Sequence, residues 1–141
     1  MEKPLKIISE IKTPRLTARP AATAMADGLF HAIDISRERL REFLFWVDNV
    51  QKVEDERKTL TDFAEGWEKG EIFAYVLYNT DEKIVGTIDV HNISYGNHFA
   101  ELGYWLKDGE TGREKCFFDM RKNFRNVAFA GFAVFQPIAK L

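Results

Sequence analysis

The sequence predicts an α+β domain built on a mixed sheet. Three observations carry that expectation. Apolar residues recur at helical spacing through the first half of the chain. After Gly70 the apolar period drops from about 3.6 to 2. The resulting order is an N-terminal strand, helices, an antiparallel three-strand meander, then a helix and a strand. The 141 residues suit one domain, 1–141. A balance of 45% hydrophobic and 30% charged residues is globular rather than disordered.

The elements follow in order. "TPRLTARP" places Pro14 and Pro20 on either side of residues 15–19, which alternate enough for a short edge strand. Met25, Leu29, Phe30 and Ile33 predict a helix over 21–33, and Gly28 weakens it by about 1 kcal/mol without ending it. Ser36 suits an N-cap, with Arg39 three residues on where a capping box wants Glu. From Ser36, "RERLREFLFWV" sets Leu40, Phe43, Leu44 and Val47 on one face of a second helix. A third spans 53–69, striped by Val53, Leu60, Phe63, Ala64 and Trp67 and stopped by Gly70. Strands then cover 71–78, 83–93 and 98–107, with turns at 79–82 and 94–97. Beyond them, 113–124 suits a helix and 127–135 an apolar strand.

Composition narrows the function. The net charge is −2 with bases scattered among acids, which disfavours a nucleic-acid or membrane-surface role. The single cysteine, Cys116, forms no internal disulfide and no thiolate metal cage. His31 and His98 carry no metal-ligand spacing, so no metal is expected. The first twelve residues alternate charged and apolar side chains, and no apolar run approaches the ~20 residues of a membrane span. The expectation is a soluble cytoplasmic protein.

"TPRLTARP", "RERLREFLFWVD", "KIVGTIDVHNI" and "AELGYWL" occur in this order over about residues 11–106. In wording and interval they resemble the ribosomal-protein alanine/serine branch of the GCN5-related N-acetyltransferase (GNAT) superfamily. The resemblance implies transfer of an acetyl group from acetyl-CoA to an amine, usually a protein N-terminus. It also implies a cofactor lying beside the strand over 99–106, where the sheet splays, with its pyrophosphate on the next loop.

The residues can be weighed on their own chemistry. If the turn at 94–97 closes a regular hairpin, Asp89 and His91 share a sheet face with Glu101. An acid or histidine there suits removal of a proton from an incoming ammonium, whose pKa is roughly 8. Glu101 matches the strand acid of the resembled family and His91 a histidine often seen there; equally, strand-face acids are structural. Backbone N–H groups near Tyr104, Trp105 and Leu106 suit an oxyanion, while the aromatic side chains suit a core. The resemblance puts Trp46 near the acceptor; a Phe/Leu/Trp stripe on a helix is otherwise core.

Gly109, Thr111, Gly112 and Arg113 are the candidates for a phosphate-cradling loop, because glycine lets backbone N–H groups approach an anion closely. Glu114 stands where the family pattern has a second small residue, and Gly109 where it has Arg or Gln. The stretch therefore reads equally as a solvated turn. After about Gly112 the wording departs from the family, which predicts a truncated or frameshifted chain lacking the C-terminal part of the fold. An open sheet edge would follow, and with it a homodimer. The alternative function is a catalytically inactive binding or oligomerising module of the same fold.

Overall fold

The alternating segments assemble into one six-stranded sheet whose strands lie side by side in sequence order. The structure is a computed structural model that describes residues 10–110, 122 and 133–135. Strands β1 (Ile11–Lys12), β2 (Thr17–Pro20), β3 (Phe73–Tyr78), β4 (Ile84–Ser94) and β5 (Phe99–Leu106) are antiparallel neighbours. Strand β6 (Ala133–Phe135) joins β5 in parallel. Helices α1 (Ala26–Ile35), α2 (Arg37–Leu40) and α3 (Val53–Lys69) fill the crossover from β2 to β3.

The N-terminal strand departs from the expected edge strand over 15–19. Thr13 and Leu16 close a tight turn, with Thr13 N donating to Leu16 O at 2.8 Å and Leu16 N to Thr13 Oγ1 at 3.1 Å. That turn folds Ile11–Lys12 back as the outer strand, so β2 lies inside the sheet. Pro20 is tolerated there for a geometric reason. Ala21 N donates to Ala74 O at 2.9 Å, which puts Pro20 opposite Tyr75 at a non-hydrogen-bonded position. Its missing N–H faces the β1 side, beyond the two residues that β1 provides.

The expected second helix also differs. Helix α2 stops after one turn at Leu40, and 41–50 becomes a chain of turns with a 3₁₀ segment at Val47–Asn49. The cause is a long side chain. Arg37 Nη1 donates to Val47 O at 2.8 Å and Nη2 to Val50 O at 2.7 Å, pulling this segment under α2. Leu40 and Val47 are buried as their spacing suggested, but Phe43 is only half-buried and Phe45 is 92% exposed.

Helix α3 matches its sequence pattern at both ends. The Asp55 carboxylate accepts the N–H groups of Gln51 and Lys52 at 2.9 and 3.1 Å, closing the N-terminus. Glu54 and Asp55 complement the positive end of the helix dipole. Gly70, at φ 70°, takes the left-handed position that ends the helix. Trp67 then packs edge-on against Phe73 and Tyr75, ring centroids 5.1 and 5.2 Å away.

Two apolar layers enclose the sheet. On one face Phe73, Tyr75, Leu77, Ile88, Val90 and Leu102 are fully buried. On the other, Val76 and Trp105 meet Leu29 and Ile33 of α1 and Leu60 of α3. Gly28 lets α1 approach β4, since a Cβ there would lie 2.6 Å from Ile84 Cδ1. Among the described residues no helix is long and apolar enough to cross a membrane. The expected helix over 113–124 lies outside the described residues, apart from Lys122. So does all of the strand over 127–135 except Ala133–Phe135.

Glu56 interrupts the apolar stripe of α3. It is 4% exposed, and its Oε2 has no hydrogen-bond partner among the described residues. Burial pushes its carboxyl up from 4.5 to about 7. An acid whose folded pKa is raised favours folding while it stays protonated. The penalty for ionising it is absent below its unfolded pKa, grows as pH rises, and reaches on the order of 3 kcal/mol above the folded pKa. Glu56→Gln is therefore expected to stabilise the protein at about pH 8 and to flatten the loss of stability above about pH 5. Urea titrations across that range check this; an unchanged slope in the variant would assign the pH dependence to other groups.

Candidate functional site

The β4–β5 register gathers the charged residues of the meander. His91 pairs directly with Glu101, and Asp89 with Gly103. Residues two apart on a strand face the same way, so Asp89, His91 and Glu101 converge on one sheet face. His91 Nδ1 lies 2.5 Å from Asp89 Oδ1, with the ring N–H donating to the carboxylate. His91 Nε2 lies 3.6 Å from Glu101 Oε2. The Asn92 amide donates to the same Glu101 oxygen.

Local backbone geometry makes that last contact. A bulge separates His91 from Ser94, and Asn92 within it has φ 47°. Asn is among the residues that tolerate the left-handed region, and the bulge re-aims its side chain toward Glu101. Opposite Asp89, Gly103 carries no side chain. A Cβ there would lie 3.2 Å from His91 Cε1 and 3.7 Å from both Asp89 oxygens. The result is a notch floored by glycine and rimmed by two carboxylates and an imidazole. The three rim side chains are 21–34% exposed, so solvent reaches them.

The electrostatics of the cluster are set by Asp89. Its hydrogen bond raises the His91 pKa above the ordinary imidazole value of 6.5; burial opposes this, and the charges of Asp89 and Glu101 add to it. The imidazolium therefore persists to higher pH than in a free histidine. Its charge holds two carboxylates close that would otherwise repel.

The structure divides the expected cofactor strand into side chains and backbone. Tyr104, Trp105 and Leu106 are 9%, 4% and 3% exposed, so their side chains are core. Their backbone is arranged differently. Lys107 N donates to Val85 O at 2.8 Å, which sets the phase of the ladder. Glu101, Gly103 and Trp105 turn their backbone groups to β4, while Leu102, Tyr104 and Leu106 turn theirs to the opposite margin. Strand β6 occupies that margin from Phe99 to Glu101. Because Glu101 turns its own groups to β4, its pairing with Phe135 uses the flanking groups of Ala100 and Leu102, and beyond Leu102 no described strand pairs with this margin.

Trp46 is half-buried, with its ring centroid 6.4 Å from that of Trp105. Trp105 shares a face with Gly103 and Glu101, so Trp46 stands over the side of the sheet that carries the charged cluster. Gly109 has φ 90° in a turn closed by Glu110 N donating to Lys107 O at 3.1 Å. A positive φ at the third position of a four-residue turn calls for glycine, and open space surrounds it. Thr111, Gly112 and Arg113 lie outside the described residues.

The sequence reading missed two residues. Ser36 stands where a cap was expected, yet its hydroxyl makes no cap bond to the helix. Instead its Oγ accepts the N–H of Asp108 at 2.7 Å. Arg39, the residue that spoils the capping box, donates through Nε to Asp108 Oδ1 at 2.6 Å and through Nη2 to Leu106 O. The one sequence signal was that broken box, since an arginine at the third helical position has no local partner of the usual kind.

A model of the family described as an acetyltransferase (GNAT) domain matches residues 15–138. It runs past Gly112, where the wording suggested that the resemblance stops. The ribosomal-protein-serine acetyltransferase of Escherichia coli (strain K12) is 31% identical over 85 residues, 60% of this chain and 47% of that protein. The chain spans about half the length of the curated relatives it matches. Among solved structures, the microcin C7 self-immunity acetyltransferase MccE, in complex with acetyl-CoA and AMP, superposes with a TM-score of 0.80 at 19% identity, covering 90% of this chain and 71% of that one. RimL, a ribosomal L7/L12 alpha-N-protein acetyltransferase in complex with coenzyme A, gives 0.75 at 20% identity, covering 89% and 73%. At these identities the structural likeness concerns the fold.

The Asp89–His91 contact has a direct readout. In a pH titration followed by NMR, the His91 Cε1 proton should report a pKa above the ordinary 6.5, and Asp89→Asn should lower it. The sign for stability follows: the contribution of the charged imidazole is complete below the unfolded pKa and is lost as pH rises through the folded one. An identical titration in the variant would show that Asp89 does not hold the proton.

Proposed function

This chain belongs to the acetyltransferase (GNAT) domain family, and we propose that it moves an acetyl group from acetyl-CoA to the N-terminal amine of a protein or peptide. The observation that carries this reading is the notch of Gly103, Asp89, His91 and Glu101 on β4 and β5. Two carboxylates on its rim suit a cationic amine. Relatives named for acetylating ribosomal proteins make the N-terminus of a ribosomal protein the first acceptor to test. A cytoplasmic location goes with that choice.

The proposed chemistry is a direct attack. An α-ammonium with a pKa of roughly 8 must lose one proton before its nitrogen becomes nucleophilic. Glu101 accepts that proton, directly or through one water, because the raised pKa of His91 favours the imidazolium and leaves a carboxylate as the available base. The nitrogen adds to the thioester carbon, and the carbonyl oxygen becomes an oxyanion. A backbone N–H on the stretch from Tyr104 to Leu106 stabilises it. Collapse of the adduct breaks the C–S bond; the nitrogen gives up its second proton as the amide forms, and that proton, passed through solvent, neutralises the departing thiolate. Trp46, beside Trp105, walls the acceptor on the same face.

The alternative, a binding or oligomerising member of the fold without catalysis, is favoured by Glu114 at a small-residue position of the loop. One pair of measurements separates the two. Acetyl-CoA at ~100 times its dissociation constant should stabilise an enzyme by about 2.7 kcal/mol in a thermal titration. Glu101→Gln should then lower kcat by about 100-fold with little change in that titration. No thermal response at millimolar acetyl-CoA, together with a dimer in sedimentation, would favour the non-catalytic reading.

A further inference from the structure

The bulge in β4 sets a neutral donor beside a charged one. From His91 to Ser94 the strand takes three steps, against two from Glu101 to Phe99, so β4 carries one extra residue there. Asn92 lies in the bulge at φ 47°, a conformation that asparagine tolerates. Its exposed side-chain amide donates to Glu101 Oε2. The same oxygen faces His91 Nε2 across 3.6 Å, too far for a hydrogen bond. On the other side of the ring, His91 Nδ1 donates to Asp89 Oδ1 at 2.5 Å. Two donors therefore face one carboxylate oxygen, and only the neutral one is bonded to it. Glu101 Oε1 has no partner among the described residues.

We propose that Asn92 is a positioning residue that keeps the Glu101 carboxylate off the His91 imidazolium and presents its second oxygen to the acceptor amine. The proposal rests on the acetyltransferase reading above. An imidazolium attracts a carboxylate more strongly than a neutral amide does. Released from Asn92, Glu101 would close the 3.6 Å gap to His91 Nε2 and form an ion pair. A carboxylate engaged in that pair must break it before taking a proton from the ammonium. The Asn92 amide carries no charge, so it fixes one oxygen and leaves the other to accept. Among the described residues, the charges that act on His91 are Asp89 on its own strand and Glu101 on β5. Asn92 acts through Glu101 alone.

The test joins NMR to kinetics. Asn92→Gly removes the amide and keeps a residue for which positive φ is unstrained. Without acetyl-CoA present, the His91 Cε1 proton of this variant should titrate at higher pH than in the wild type, because the carboxylate has moved closer. With acetyl-CoA and a ribosomal-protein N-terminal peptide, kcat/KM should fall about tenfold where His91 is charged. The deficit should shrink as pH rises through the His91 pKa, since a neutral imidazole no longer holds Glu101. Asn92→Asp fits the same backbone and cannot donate, so it should show the same pH-dependent deficit; it also guards against a glycine variant whose hairpin loosens. In a His91→Gln background, Asn92→Gly should cost little further, because no imidazolium remains to capture the carboxylate. A His91 titration that stays in place or moves to lower pH in Asn92→Gly would overturn the proposal. So would a deficit of equal size at every pH, or one undiminished in the His91→Gln background. If the wild-type chain neither responds to acetyl-CoA nor acetylates the peptide, the acetyltransferase reading fails on that result, while the titration still decides whether Asn92 holds Glu101 away from His91.

Discussion

The antiparallel register of β4 with β5 is the constraint on which the rest depends. Six pairs run without interruption from Gly86–Leu106 to His91–Glu101. The alternation of facing side chains puts Asp89, His91 and Glu101 together. The alternation of hydrogen-bonded pairs sends the backbone groups of Leu102, Tyr104 and Leu106 outward. A slip of one residue would bury the acids and expose the leucines. Gly86 reinforces the register, since a Cβ there would lie 2.0 Å from the Trp105 carbonyl oxygen. Only glycine lets the two backbones lie so close at that step.

The helical layer contributes less by its own helicity than by the side chains it sends out. Helix α2 is a single turn, too short to persist alone. Arg37 ties it forward to the carbonyls of Val47 and Val50, and Arg39 ties it across to β5. One short segment therefore carries two guanidinium clamps pointing in different directions. Trp46, held on the turns that Arg37 gathers, reaches Trp105 on the sheet. The turns around Trp46 and the exit of β5 meet through these three contacts rather than through a continuous helix.

Sequence pattern revealed the parts of the structure that depend on local periodicity. The extent of α3 is written in its apolar stripe and in Gly70, and the three strands of the meander in alternating apolar residues. The pairing of His91 with Glu101 was not legible in the same way: a regular hairpin closed by a turn at 94–97 sets His91 opposite Ala100, and the bulge between His91 and Ser94 is what brings Glu101 opposite it. Long-range interactions were invisible. Residues 41–47 have the apolar spacing of a helix, but two bonds from Arg37 to distant carbonyls outweigh that weak local preference. Ser36 carries the chemistry of a cap, and only the folded chain brings Asp108 to it. The inner position of β2 was hidden because the turn at Thr13 adds a strand of only two residues. No local pattern distinguishes so short a strand from a loop.

Gly103 has a further consequence. Its position leaves room for the imidazole of His91 to reach Asp89, with no methyl group crowding the ring. A single added carbon would press on the ring from the strand opposite and loosen its grip on the carboxylate. Proton affinity in this cluster is therefore adjustable by volume alone, with every charge in the notch unchanged. The sheet carries a steric dial for acidity at a residue that has no ionisable group of its own.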